Sequence, residues 1–208
     1  MANLITLMRL LLLFVLVAMV YWASPVLQLI NAPLILLIIA LDGLDGFVAR
    51  RRGETSLFGS IFDIAVDRVV ETVMWLVLAN VGLVPVWVAI VFLTRGAIVD
   101  TIRHSRSDRG KSAYEDLHHG WRRWLVASRF MRGAYGGLKA GTFAWILFFQ
   151  PWPALFPQTW LLVGPVALAI SHGLVLASVA VCIARAIPVI LEVVPLGGTD
   201  DRPRIVGG

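Results

Sequence analysis

The sequence predicts an all-α integral membrane protein with six transmembrane helices around a polar cavity that faces the cytosol. Three observations lead to this fold class. First, of the 208 residues, 59% are hydrophobic and only 15% are charged, a composition far more apolar than that of soluble domains. Second, the apolar residues fall into six stretches, and a membrane-spanning helix needs about 20 such residues. Third, the charged residues concentrate in alternate connections between those stretches.

The order of the stretches along the chain determines the predicted topology. The stretches cover residues 4–30, 33–48, 57–81, 84–102, 134–149 and 160–194. The connections at 24–32, 80–85 and 150–158 contain no charged residue, whereas those at 50–56 and 103–132 are rich in arginine. Because Lys and Arg favour the cytoplasmic side, both arginine-rich connections and both termini are expected in the cytoplasm. The membrane is then a cytoplasmic membrane of the bacterial type.

The length leaves room for one membrane domain, expected at residues 1–196, followed by a flexible tail at 197–208. The net charge of +5 comes from 18 basic and 13 acidic residues, and on a soluble protein it would suggest nucleic-acid binding. Here the basic segment 104–132, which includes aromatic residues, fits contact with anionic lipid better. We therefore expect membrane lipid as a partner and no nucleic acid.

Four aspartates within the apolar stretches form two pairs. Asp42 and Asp45 are three residues apart, and Asp63 and Asp67 are four apart, so each pair lies on one face of its helix. A carboxylate at membrane depth costs about 2.5–3.5 kcal/mol, and a hard divalent ion such as Mg²⁺ or Mn²⁺ would compensate for it. The structural alternative is ion pairing of these aspartates with nearby arginines, namely Arg50, Arg68 and Arg95.

Small residues and an arginine stand between the two aspartate pairs. Gly46, Ala49 and Gly59 allow a ligand to approach the backbone closely, and Arg50 supplies a phosphate-binding cation. A pyrophosphate-linked nucleotide would require such a pocket beside a carboxylate-bound metal.

The segment from Asp42 to Asp67 resembles the signature of the CDP-alcohol phosphotransferases, D-x-x-D-G-x-x-A-R-x8-G-x3-D-x3-D, at every fixed position. The resemblance implies that Asp42, Asp45 and Asp63 hold two metal ions. It also implies that Asp67 completes this site and acts as the base toward the acceptor hydroxyl. The residues implied to contact the CDP group are Gly46, Ala49, Arg50, Ser56 and Gly59.

Two further motifs resemble those of bacterial phosphatidylglycerophosphate synthases. One is N-x-x-T-x-x-R, present as Asn3, Thr6 and Arg9, and the other is a loose match to G-K-L-K-T at residues 137–142. They imply CDP-diacylglycerol as donor and glycerol 3-phosphate as acceptor, in a family whose members commonly form homodimers. The acceptor phosphate would then be bound by cations on the fourth and fifth stretches, namely Arg95, Arg103 and Lys139.

The acceptor is the least specific part of this interpretation. Gly96 stands where the subfamily has Glu, and the connection after Ser105 is long. Inositol phosphate, serine or phosphatidylglycerol are alternative acceptors, and Arg95, Arg103 and Lys139 could instead be cytoplasmic anchors whose side chains reach the interface. A divalent cation transporter is the alternative from another class. It would need charged residues at several depths across the membrane, whereas those recognised here lie toward one side.

Overall fold

The computed structural model describes residues 2–52, 57–107 and 128–191, excepting the side chains of 2–3, 44–52, 57–58, 60, 103–107, 129 and 191. This part of the chain is helical and contains no β-strand, which confirms the all-α class. Six long helices and two short ones follow one another. They are α1 (Ala2–Trp22), α2 (Pro25–Gln28), α3 (Asn31–Arg52), α4 (Leu57–Asn80), α5 (Val86–Ser107), α6 (Arg129–Phe149), α7 (Trp152–Leu155) and α8 (Pro157–Leu191).

At the end of α4 and the start of α6, local hydrogen bonds satisfy backbone groups that the helix itself leaves without a partner. At the end of α4, Gly82 has a φ of +75°, a conformation that glycine adopts at little cost. The turn there lets the N–H groups of Leu83 and Val84 donate to the carbonyl of Leu78 at 2.9 and 3.3 Å. At the start of α6, the Ser128 hydroxyl accepts a hydrogen bond from the Met131 N–H, as expected of an N-cap.

Several helices extend further than the hydrophobic pattern indicates. Helix α3 continues through the arginines to Arg52, α5 continues past residue 102 to Ser107, and α6 begins at Arg129, before the predicted stretch at 134–149. Lys and Arg are good helix formers, so charged residues do not stop a helix. Consequently Arg95 and Lys139 lie at the middle of α5 and α6.

The six long helices form a closed ring through their packing contacts. In ring order they are α1, α3, α6, α8, α5 and α4, and α4 returns to α1. The short helices α2 and α7 pack on each other at one end. In such a ring every long helix turns one face to the centre, so residues far apart in sequence meet there.

An aromatic cluster fills part of that centre. Trp75 of α4 is fully buried. It stacks on Phe92 of α5 with ring centroids 4.4 Å apart, and meets Phe143 of α6 edge-on at 4.7 Å. We call these three rings the aromatic floor. They join three helices at one level, and such ring pairs add stability beyond the apolar area they bury.

The distribution of polarity is the reverse of that in a soluble protein. Large apolar side chains such as Leu161 and Leu162 are about four-fifths exposed, while Arg9, Glu71 and Arg185 are buried. Three segments are long and apolar enough to cross a membrane, Leu4–Trp22, Pro25–Gly43 and Pro157–Ile190. Helices α4, α5 and α6 are of similar length to α1 and α3 but carry charged residues near their middle. The protein is thus a helical membrane protein with an apolar exterior.

Candidate active site

Helices α1, α3 and α4 bring an arginine and two aspartates together. Nη1 of Arg9 lies 2.6 Å from Oδ1 of Asp42 and 3.0 Å from Oδ1 of Asp63. Its Nε donates to the backbone carbonyl of Ile38 at 3.3 Å. The Arg9 side chain is 1% exposed, against 38% and 39% for the two carboxylates. We call these three charged residues the Arg9 cluster.

Asp42 of α3 and Asp63 of α4 therefore lie on either side of one Arg9 nitrogen. Asp67 follows one turn later on α4, exposed, and within electrostatic reach of Asp42 and Lys139. Asp63 and Asp67 lie on one face of α4, where both carboxylates could reach one ligand. The side chain of Asp45 is outside the described residues, as are the remaining predicted contacts Asn3, Gly46, Ala49, Arg50, Ser56 and Arg103.

A second group of charges lies deeper between α4, α5 and α6. Oε1 of Glu71 is 2.9 Å from Nζ of Lys139, and Oε2 is 3.2 Å from Nη1 of Arg68. Arg68 also contacts Asp100 through two nitrogens, at 2.8 and 3.1 Å. We call Arg68, Glu71, Asp100 and Lys139 the Glu71 cluster. Glu71, 8% exposed, joins two cations on different helices.

Four more side chains border the Glu71 cluster. Tyr135 of α6 is buried, with Nζ of Lys139 4.5 Å and the guanidinium carbon of Arg185 5.5 Å from its ring centroid. Arg95 and the buried Cys182 lie within electrostatic reach of its hydroxyl. Cations over a tyrosine face are attracted by the ring quadrupole. The aromatic residue thus holds two cationic side chains near one point.

The sequence offered one alternative to a metal site, in which the four aspartates pair with Arg50, Arg68 and Arg95, and the observed ion pairs differ from it. Asp42 and Asp63 pair with Arg9, which that alternative did not include, and Arg68 pairs with Glu71 and Asp100. Arg95 is 9% exposed, so its side chain does not reach an interface as an anchor would. Thr6, the neighbour of Arg9 in the N-terminal motif, is also buried, and Gly59 is partly so.

Sequence reasoning missed Glu71, Tyr135 and Arg185. A signal for Glu71 existed, since it is four residues after Asp67 and eight after Asp63, on the same helix face. Arg185 was overlooked inside a long apolar stretch, although an ionisable residue there is a functional candidate by default. Nothing in the sequence pattern distinguishes Tyr135 from an interfacial aromatic residue.

The residues present suit a hard divalent cation in part. The Oδ1 atoms of Asp42 and Asp63 contact the same nitrogen, so one cation could reach both, and carboxylate oxygens are the ligands that Mg²⁺ prefers. Among the described residues, no group of three or more acidic, His or Cys side chains could hold an ion. Asp45, the further carboxylate of the motif, has its side chain outside that set.

Comparison with protein families identifies the class of protein. The family model of the CDP-alcohol phosphatidyltransferases matches residues 1–184, which is most of the chain and includes both clusters up to α6. The protein belongs to this family. It is therefore a transferase that moves a phosphatidyl group from a CDP-alcohol to an acceptor in phospholipid biosynthesis, and the family generally depends on divalent metal ions. No match was found among curated proteins.

Proposed function

We propose that the protein transfers the phosphatidyl group of CDP-diacylglycerol to glycerol 3-phosphate, giving phosphatidylglycerophosphate and CMP. The observation that carries this acceptor is the excess of cations around the Glu71 cluster. Four cations, Arg68, Arg95, Lys139 and Arg185, meet three carboxylates there, Asp67, Glu71 and Asp100. Buried cations in excess favour an anionic ligand, and a phosphate accepts several charge-assisted hydrogen bonds.

The acceptor would be held by its phosphate and deprotonated at its hydroxyl. Arg95 and Lys139 bind the phosphate in this proposal. Arg103, two helical turns after Arg95 on α5, is the third cation, and Arg185 of α8 is the fourth. Asp67 lies within electrostatic reach of Lys139, so an acceptor bound at Lys139 has a carboxylate nearby to take the hydroxyl proton. The acceptor oxygen then attacks the phosphorus of the phosphatidyl group, and the bond to the CMP oxygen breaks.

The donor, CDP-diacylglycerol, would bind at the segment of the motif from Asp42 to Asp63. Asp42, Asp45 and Asp63 hold two Mg²⁺ or Mn²⁺ ions in this proposal, with Asp67 completing the site. Bound ions supply charge neutralisation of the pyrophosphate and of the departing CMP. The CDP group would contact the backbone and side chains between the two aspartate pairs, namely Gly46, Ala49, Arg50, Ser56 and Gly59.

The membrane setting of the reaction is part of the proposal. We infer six spans within residues 1–196, a tail at 197–208 and a catalytic centre open to the cytosol, where water-soluble acceptors are found. Support comes from the three apolar spans, the closed ring of helices and the arginine-rich connections. We also propose a homodimer, as the family resemblance implies.

The decisive experiment offers the purified protein a choice of acceptors. CDP-diacylglycerol and Mg²⁺ are supplied in detergent with glycerol 3-phosphate, inositol phosphate, serine or phosphatidylglycerol, and CMP release and the lipid product are measured. CMP release and a new lipid product should appear only with glycerol 3-phosphate, and Asp63→Asn should abolish CMP release in a protein that remains folded. Turnover with another acceptor alone would refute the acceptor and leave the reaction class intact.

The same preparation tests the transporter alternative. Liposomes that contain the protein and an internal Mn²⁺ indicator should show no flux above that of the Asp63→Asn variant. Flux without CMP release would replace the enzymatic proposal with transport.

A further inference from the structure

Tyr135 of α6 places a buried hydroxyl beside the cations proposed to bind the acceptor. Tyr135 is 7% exposed, and among the described residues its Oη has no nitrogen or oxygen as a hydrogen-bond partner. The buried thiol of Cys182 lies beside it, but a thiol is only a weak partner. A buried hydroxyl without a good acceptor costs free energy, so this position favours an acceptor oxygen that comes from a bound molecule.

Three cations surround this tyrosine. Nζ of Lys139 lies 4.5 Å and the guanidinium carbon of Arg185 lies 5.5 Å from its ring centroid, where the ring quadrupole attracts them. Arg95 lies within electrostatic reach of the hydroxyl. Arg95 is itself buried, and its Nε has no hydrogen-bond partner among the described residues. An anion with several acceptor oxygens is the ligand that such surroundings favour.

Glu71, a carboxylate near Tyr135, does not take the place of that anion. It lies within electrostatic reach of the tyrosine, but its Oε1 is 2.9 Å from Nζ of Lys139 and its Oε2 is 3.2 Å from Nη1 of Arg68. It accepts no hydrogen bond from the Tyr135 hydroxyl. A phosphate has oxygens enough to accept from the hydroxyl and from neighbouring cations at the same time.

We propose that Tyr135 is a specificity-determining residue of the acceptor site, whose ring holds Lys139 and Arg185 and whose hydroxyl donates a hydrogen bond to the acceptor phosphate. The inference rests on the proposed function, because it requires an acceptor that carries a phosphate. A cation attracts any anion, whereas a hydroxyl requires an acceptor atom in one direction. An acceptor without a phosphate, such as serine, leaves the buried hydroxyl unpaired, and a site built in this way discriminates against it.

The first test measures steady-state kinetics in detergent with CDP-diacylglycerol, Mg²⁺ and glycerol 3-phosphate. Tyr135→Phe keeps the ring and removes the hydroxyl, so the KM for glycerol 3-phosphate should rise about tenfold, as expected for the loss of a hydrogen bond to a charged group. The KM for CDP-diacylglycerol should not change. Tyr135→Leu also removes the ring and should raise the acceptor KM further. In the matched control Tyr21→Phe, whose hydroxyl donates to Oδ1 of Asn80 at 2.8 Å, both KM values should remain those of the wild type.

The melting temperature without ligand, followed by circular dichroism, separates binding from a structural role. Because the hydroxyl has no nitrogen or oxygen partner among the described residues, Tyr135→Phe should melt at or above the temperature of the wild type. A hydroxyl held by a buried water or by the Cys182 thiol would instead stabilise the fold. Tyr135→Phe would then melt lower and keep the wild-type KM for glycerol 3-phosphate, and this result would overturn the proposal. An equal rise in both KM values would also overturn it.

Direct binding to the otherwise unaltered chain keeps this inference separate from the choice of acceptor. Protein labelled with 3-fluorotyrosine is titrated with inorganic phosphate and with glycerol 3-phosphate, and Tyr21→Phe and Tyr114→Phe assign the ¹⁹F resonances of its three tyrosines. The Tyr135 resonance should shift with both ligands, while that of Tyr21 stays unchanged. Phosphate binding without a shift at Tyr135, or no phosphate binding at all, would contradict the inference. A shift at Tyr135 in a protein that turns over only inositol phosphate would refute the proposed acceptor alone.

Discussion

Replacement of Glu71 by glutamine tests the deepest ion pairs of the protein. The side chains of Glu71 and Lys139 are only 9% and 16% exposed, and Glu71 also neutralises Arg68. Removal of one partner of a fully buried pair costs about 3–5 kcal/mol, because it leaves a charge uncompensated. Exposed pairs contribute about 0–1 kcal/mol. Because both side chains are largely buried, the pair is closer to the buried case, and we expect Glu71→Gln to lower the free energy of unfolding by about 3 kcal/mol.

The geometry also predicts an asymmetry between the two partners of this pair. In Glu71→Gln both Arg68 and Lys139 lose a carboxylate, whereas in Lys139→Met Glu71 keeps its ion pair with Arg68. The glutamate change should therefore be the more destabilising of the two. The double variant should be less destabilised than the sum of the single changes, by about 1–3 kcal/mol, as is usual for residues in contact.

The chain provides its own reporter for this measurement. Cys182 is the single cysteine of the sequence and is fully buried, so a thiol-reactive fluorogenic dye reports unfolding in detergent. At about 2–4 °C per kcal/mol for a chain of this size, Glu71→Gln should melt about 6–12 °C below the wild type. Asp100→Asn is the matched control, because Asp100 pairs with Arg68 at 28% and 31% exposure and should cost about 1 kcal/mol or less. A Glu71→Gln variant that melts with Asp100→Asn would refute the reasoning.

Three further predictions concern catalysis and topology. Asp67→Asn should lower kcat with little change in the KM for CDP-diacylglycerol, because it removes a proton acceptor more than a binding contact. A large rise in that KM would show that Asp67 instead contributes to binding of CDP-diacylglycerol. Arg95→Ala should raise the KM for glycerol 3-phosphate far more than that for the donor, and equal effects on both would remove it from the acceptor site. Cysteines introduced at Ser107 and Pro153 should be labelled from the cytoplasmic and the opposite face, respectively, and reversed labelling would overturn the topology.

The helix face on which each aspartate pair lies was predictable from spacing alone. Asp42 and Asp45 are an i, i+3 pair and Asp63 and Asp67 an i, i+4 pair, and helical periodicity places each pair on one face. The high cost of an isolated carboxylate in lipid then requires a partner or an ion nearby. The contact of Asp42 and Asp63 through a common nitrogen agrees with this reasoning.

The identity of that nitrogen was not predictable from the same reasoning. Arg9 is 33 residues before Asp42, and local spacing does not indicate which helices become neighbours. The ring order, in which α1 contacts both α3 and α4, follows from packing of whole helix faces. For the same reason the sequence pattern did not pair Lys139 with Glu71, since α4 and α6 are separated along the chain by α5.

The level of the aromatic floor explains why charges at the middle of these helices are tolerated. Glu71, Arg95 and Lys139 stand three or four residues from Trp75, Phe92 and Phe143, respectively, about one helical turn on the side of the Arg9 cluster. On one side of these three charged residues lie the apolar rings of the aromatic floor. On the other side lie the partly exposed carboxylates of the Arg9 cluster. Glu71 and Lys139 neutralise each other between the aromatic floor and the Arg9 cluster. Among the described residues these charges lie on one side of the aromatic floor, which supports the proposed transferase better than a conduit, because a conduit needs charged residues at several depths across the membrane.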